Sequence, residues 1–395
     1  MEISWDKIKN YVKKSKGLQH IGIANIIGKG IGGLFWFYMA SLLGTENYGE
    51  VAYFIAIGSL AASLSLFGST NTLIVYTAKK VPIQPAIYFI TLILGAISSV
   101  IIFLIFQNWV VSVFTIGYVV FNLAISYLLG SKYYKKYSIY FITQKILFVG
   151  FALIFYFIIG YIGVVLGLAL SFLVFSHILI KGFKEIKLDF SVLKERFGFT
   201  MNSFVLSLER MLSGQVDKII IVSMFGFGLL GNFYLGIQFL SVMFLIPTIV
   251  YQYTLPQDAS GNPSYTIKKL SILSSIGVSG LAILLSPIFL PLLFPEFVDA
   301  VQVLQILSLV IVPYSINMSY VSKFLGREKS RVVLVGQAIA IVIYIPGIFI
   351  LGQFFGINGV AGSLVLAGIA QSVFYFIADR FLINSKFFEK SNRYF

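Results

Sequence analysis

The chain has 395 residues, of which 58% are hydrophobic and 11% charged, with a formal net charge of +14 and no cysteine. An ordinary soluble domain carries about twice that share of charge, and the missing cysteine excludes disulfides, zinc–thiolate clusters and thiol nucleophiles. Apolar runs of about 20 residues, the length that crosses a bilayer, recur from end to end, so the sequence predicts an all-α polytopic membrane protein with little room for a soluble domain.

A basic stretch precedes the first apolar run, which begins near Ile21 and reaches about Leu43. It is too long for a signal core and lacks a small-x-small cleavage site, so it is expected to be a retained first span. Twelve spans are predicted, at 19–43, 48–76, 85–107, 109–130, 137–160, 161–181, 199–226, 228–256, 267–294, 297–325, 329–352 and 357–381. In the stretch FKEIKLDFSVLKERFGF between spans 6 and 7, Phe183, Ile186, Phe190, Leu193 and Phe197 recur at helical spacing beside lysines. That pattern predicts an amphipathic segment lying along the inner membrane surface. The expected organisation is a six-helix bundle with a basic leader over 1–182, a linker over 183–198, and a six-helix bundle with a basic tail over 199–395.

Basic residues cluster before span 1, in every second loop and in the tail, including Lys79 and Lys80, Lys132, Lys135 and Lys136, Lys268 and Lys269, and Arg327 and Lys329. The alternate loops hold none and carry Glu46, Glu296 and Asp299 instead. This alternation is the positive-inside pattern of a cell (cytoplasmic) membrane protein with both termini cytoplasmic. The net charge is therefore read as an orientation signal that also meets anionic membrane lipids, not as a nucleic-acid footprint.

The halves echo each other. LLGTENYGEVAYF follows span 1 and MFGFGLLGNFYLG follows span 7, which puts Gly44 and Gly49 in register with Gly226 and Gly231. GYIGVVLG opening span 6 resembles GINGVAGS opening span 12, pairing Gly160 and Gly163 with Gly356 and Gly359. With six spans per half, both repeats start on the same side, so a parallel pseudo-twofold repeat is expected, with a cleft between two bundles suited to alternating access.

Gly28-Lys29-Gly30-Ile31-Gly32-Gly33 satisfies G-x-G-x-x-G, but no strand precedes it and it lies inside a span, so no dinucleotide site is read there. No cofactor or metal site is expected elsewhere, and His20 and His177 fall near span ends. The informative residues are charges within spans: Lys29, Lys145, Glu209, Arg210, Asp217 and Lys218. Such charges are retained where they face water, a partner or a substrate. Lys29 and Arg210 fall at matching repeat positions and, with Lys145, are candidates for cavity cations that would bind an anionic substrate group such as a pyrophosphate. Glu209 and Asp217 are candidates for coupling to H+ or Na+. The competing reading is that each acid neutralises a neighbouring cation.

These residues sit in a wider pattern. LLGTENYGEVAYF, VDKIIIVSMFGFGLLGNFYLGIQF, TLPQDA, FPEFVDAVQVLQILSL and FGINGVAGSLVLAGIAQSVF, in that order, resemble the Wzx-type polysaccharide biosynthesis flippases. Those belong to the superfamily that includes multidrug and toxin extrusion transporters and the lipid II flippase. The resemblance implies transport of a polyprenyl-pyrophosphate-linked oligosaccharide from the inner to the outer leaflet, with no bond made or broken. A multidrug or other small-molecule exporter of the same fold is the alternative. A membrane glycosyltransferase or polymerase is a further one, disfavoured by outer loops too short to carry a catalytic site.

Overall fold

The computed structural model describes residues 16–185, 189–327 and 329–382, without side chains at 16–19, 184, 185, 205, 206, 208–210, 212, 213, 259, 381 and 382. The basic leader up to residue 15, Ile186 of the linker and the tail from 383 lie outside the described residues. The chain is all-α: α1 (Lys16–Leu66), α2 (Ser69–Ala78), α3 (Gln84–Phe106), α4 (Trp109–Gly130), α5 (Tyr134–Ile159), α6 (Ile162–Leu173), α7 (Ser176–Glu185), α8 (Ser191–Lys194), α9 (Phe197–Met243), α10 (Leu245–Ala259), α11 (Tyr265–Leu293), α12 (Ala300–Ser308), α13 (Ile311–Gly326) and α14 (Ser330–Ile377), closing on a π-turn (Ala378–Leu382).

Nine helices among the described residues are long and apolar enough to cross a membrane. Three of them, of 47, 45 and 51 residues, are about 70 Å long at 1.5 Å per residue, more than twice a hydrocarbon core of about 30 Å. Each is two spans joined at one glycine: Gly44 in α1, Gly226 in α9 and Gly356 in α14, with φ of 69°, 81° and 58°. Only glycine reaches that left-handed region without a Cβ clash. Counting each half separately gives the twelve spanning segments of two six-helix bundles.

The repeat signals have structural counterparts. A Cβ on Gly163 would collide with the Phe155 carbonyl oxygen, and one on Gly359 with that of Leu351, the same distance back along the chain. At the other pair of corners the relation is reciprocal. Gly49 abuts the Phe227 carbonyl and Gly231 abuts the Thr45 carbonyl, and Phe227 is the repeat partner of Thr45. Such a self-complementary contact is what a local twofold generates.

By compactness the chain forms two units, one of residues to Met39 with Val51–Ile219, the other Ala40–Glu50 with Ile220 onward. Both glycine corners just described at 44–49 and 226–231 lie in the second unit. In the first unit, α6 packs on α4 and α5, and α4 on α2 and α3. Asn108 caps α4, its side chain accepting from the amides of Val110 and Val111 at 3.1 and 3.4 Å. In the second unit, α11 turns one face inward: Lys268, Ser271, Ser275, Ser279, Ser286 and Leu290 are buried. The small side chains let neighbouring backbones approach, and Ser271 and Ser279 meet Ser315 and Ser308 at 2.9 and 3.4 Å. The opposite face carries Leu284 and Leu292, 71% and 79% exposed, as expected of a surface solvated by lipid.

Several expected spans are interrupted. Span 2 breaks at Phe67 and Gly68, both at positive φ (43° and 73°), where the chain passes against Thr200 and Phe204 at the start of α9. Span 6 breaks between α6 and α7, span 8 between α9 and α10, and span 10 between α12 and α13. Of the expected amphipathic linker, residues 183–185 end α7, 191–194 form α8 and 197–198 begin α9. Aromatic contacts hold it and the start of α9: Phe190 on Phe89 at 5.7 Å, Phe197 on Phe67 at 6.4 Å and Phe199 on Tyr76 at 5.4 Å.

Candidate substrate site

In the first unit, α1 and α5 meet through a glycine. A Cβ on Gly28 would stand 2.6 Å from Phe141 Cε1 and 3.6 Å from Lys145 Cγ, so any side chain there would have to push the Phe141 ring aside. Farther along, Phe35 packs edge-on against Phe148 with ring centroids 4.5 Å apart. This register brings Lys29 and Lys145 to one level on neighbouring helices. Lys29 is exposed and Lys145 half-buried, its ammonium 5.5 Å from the Phe141 ring centroid, a cation–π contact. Among the described residues neither lysine has a carboxylate partner. Beside Lys29, Gly30, Gly32 and Gly33 all border open space.

The inward face of α5 is polar too. Gln144 is fully buried and its Nε2 donates to Ser171 Oγ at 3.0 Å. That hydroxyl donates onward to the Leu168 carbonyl at 2.7 Å, and Gln144 Oε1 has no partner among the described residues.

The remaining candidates lie on the first arm of α9. Glu209 and Arg210 are helical, but their side chains lie outside the described residues. Asp217 and Lys218 are both buried and joined. The Lys218 amide donates to Asp217 Oδ1 at 2.8 Å, and its ammonium lies 3.5 Å from the same oxygen while donating to the Gly214 carbonyl. Asp217 is thus in contact with the cation next to it.

Sequence reasoning missed a second charged group, in the second unit. Lys268, expected in a loop, is buried on α11, and its ammonium lies 2.5 Å from Asp258 Oδ2 at the end of α10. Ser322 Oγ donates to the same oxygen at 2.5 Å, and Lys268 also reaches the Ser319 carbonyl at 3.3 Å. Beside Ser322, Lys323 pairs with Asp379 at 2.6 Å. Asn317 donates to Gln371 Oε1 at 2.9 Å and accepts from Ser372 at 2.8 Å. Tyr375 accepts from Gln371 at 3.2 Å and donates to the Val333 carbonyl at 3.0 Å. Intramembrane Asn and Gln were the available signal for this second network. The ion pairs had none, because neither the ten residues between Lys268 and Asp258 nor the 56 between Lys323 and Asp379 is a helical spacing that marks a pair.

This helical architecture is shared with several solved membrane transporters. Among solved structures the chain is similar to the lipid II flippase MurJ in an inward closed conformation, with a TM-score of 0.67 and 16% identity over 91% of this chain and 87% of that one. It is also similar to an inward-facing multidrug resistance MATE family transporter, with a TM-score of 0.66 and 15% identity over 93% and 98%. A third is a MOP superfamily transporter from Pyrococcus furiosus described as having a binding pocket of reversed polarity, with a TM-score of 0.60 and 16% identity over 93% and 96%. No family model and no curated protein sequence matches the chain.

Proposed function

We propose that this multi-pass membrane protein is a flippase and not an enzyme, moving a polyprenyl-pyrophosphate-linked oligosaccharide from the inner to the outer leaflet by alternating access. The observation that carries the reading is the pair of lysines at one level of α1 and α5, neither of them neutralised by a described carboxylate. A cation in hydrocarbon is expensive, and an anionic substrate group at that level offsets the expense. Lys29, Lys145 and Arg210 are the residues assigned to the pyrophosphate, and Glu209 or Asp217 to an H+ or Na+ gradient. The repeats run over 1–182 and 199–395, with both termini cytoplasmic. The Wzx-like sequence patterns support the oligosaccharide, and the likeness to MurJ is in keeping with a lipid-linked substrate.

The likeness to MATE transporters equally favours a small-molecule exporter. Reconstitution separates the two. Proteoliposomes loaded on one side with a fluorescent lipid-linked oligosaccharide should expose its head group to a membrane-impermeant quencher within the assay, and Lys29→Ala should abolish that exposure. Export of small organic cations with no movement of the lipid-linked sugar would replace this reading with the exporter.

A further inference from the structure

Away from the lysines of α1 and α5, the first unit holds a second convergence of positive charge, at its basic end. Tyr76 lies in the last turn of α2, and two cations approach its ring. The ammonium of Lys79, which caps α2, lies 5.5 Å from the centroid. The guanidinium of Arg196, just before α9, lies 5.4 Å from it. Phe199 stands edge-on to the same ring at 5.4 Å. Lys80 follows at a positive φ of 59° and is exposed. Two basic residues from two remote stretches of chain therefore converge on one tyrosine, with Lys80 next to one of them in the chain.

Little opposes them. Glu195 binds the Arg196 guanidinium at 2.8 Å but is 69% exposed, and Nη1 also donates to the Val192 carbonyl at 2.9 Å. The guanidinium has five N–H donors, so most of the fork is left over. Lys79 and Lys80 have no ion pair among the described residues. The surroundings are those of a membrane interface: Phe197 and Phe199, 51% and 38% exposed, flank Arg196. Aromatic rings beside basic residues at helix ends are what a lipid head-group layer selects.

We infer that Tyr76, Lys79, Lys80 and Arg196 form a site for the phosphate of an anionic phospholipid. The guanidinium fork and the ammonium groups take the phosphate oxygens. The Tyr76 and Phe199 rings receive the glycerol and upper acyl carbons. A lipid held there lies over the contact between the end of α2 and the start of α9, which already meet through Tyr76 and Phe199 and through Thr72 and Thr200. The site is independent of the transported substrate.

Native mass spectrometry of the full chain in detergent tests the site, with phosphatidylglycerol and phosphatidylcholine as probes. The parent should retain phosphatidylglycerol in preference to phosphatidylcholine. The Lys79→Gln, Arg196→Gln double variant should bind phosphatidylglycerol about 30-fold more weakly, at roughly 1 kcal/mol per basic residue. Lys136→Gln, whose ammonium lies 5.1 Å from Tyr133 alone, should leave retention unchanged. The charge-keeping Lys79→Arg, Arg196→Lys variant should keep the preference. Equal retention of both lipids by the parent, or unchanged retention by the glutamine pair, would overturn the site. Loss in the charge-keeping variant would assign the effect to packing and overturn it as well. Displacement of the lipid by millimolar inorganic phosphate would make it a small-anion site instead.

Discussion

A lysine at mid-bilayer depth costs about 2.5–3.5 kcal/mol on insertion scales, and that cost makes the candidate residues testable one at a time. If Lys29 is kept for a substrate, Lys29→Ala should leave the melting temperature in detergent at or above that of the parent while reducing flipping by tenfold or more. Arg210→Ala should behave alike, and Arg210→Lys should fall between, because an ammonium keeps the charge but not the bidentate fork. Full transport by both alanine variants would remove the cations from the site. Asp217 differs, since it touches Lys218. Asp217→Asn should lower stability by about 3 kcal/mol or more, because it strands a buried ammonium, and adding Lys218→Met should recover most of the loss. Unchanged gradient dependence in Glu209→Gln and in Asp217→Asn would exclude both as coupling groups. In the linker, the Ser191 hydroxyl and then the Ser191 amide hold the Asp189 carboxyl below the usual carboxylate range. The two bonds are 2.7 and 2.9 Å long. A carboxyl whose folded pKa is depressed stabilises at pH above its unfolded value of about 3.9 and loses that contribution as pH falls through the folded value. Protection of the Ser191 amide in hydrogen exchange should therefore persist at pH 4 and fade below it, and Asp189→Asn should remove the pH dependence.

At the scale of the elements, the glycines divide into two kinds that mutate in opposite directions. Gly163 and Gly359 abut a carbonyl eight residues back, across the corners at Gly160 and Gly356, so Gly163→Ala and Gly359→Ala should each destabilise by about 1–3 kcal/mol through overpacking. Gly150, inside α5 with open space around it, should gain about 0.5–1 kcal/mol as alanine, from helix propensity and a less flexible unfolded chain. Thermal unfolding in one detergent compares all three. The close-packed glycines were legible in the sequence because a position that tolerates nothing larger repeats in both halves as the same letter. The breaks at 174–175 and 309–310 were not. Val174, Phe175, Leu309 and Val310 carry no turn chemistry, and an apolar run reads the same whether its helix is straight or interrupted. Lys268 was illegible for a different reason. Its partner Asp258 is ten residues away across a turn, a spacing with no helical periodicity, so the lysine looked like an ordinary loop charge.

For the whole molecule, alternating basic loops predict an orientation by themselves, because the rule depends on counting charges and not on packing. A single cysteine at Thr45, in a chain that has none of its own, should react with an impermeant thiol reagent only from outside the cell. Reaction only from inside would invert the topology. The fold was legible for the same reason that its cargo is hard to read: hydropathy and glycine placement specify twelve spans, whereas a substrate is chosen by a few side chains whose neighbours come from distant parts of the chain. Lys29 and Lys145 illustrate this, since nothing in their separate surroundings says that α1 and α5 set them level. The spans joined at Gly44, Gly226 and Gly356 also constrain how the protein is made. A pair of spans with no loop between them offers nowhere for the ribosome and translocon to pause with one helix in the membrane and the next still waiting. Each pair is then expected to insert together, as one hairpin, which leaves six helices to enter singly.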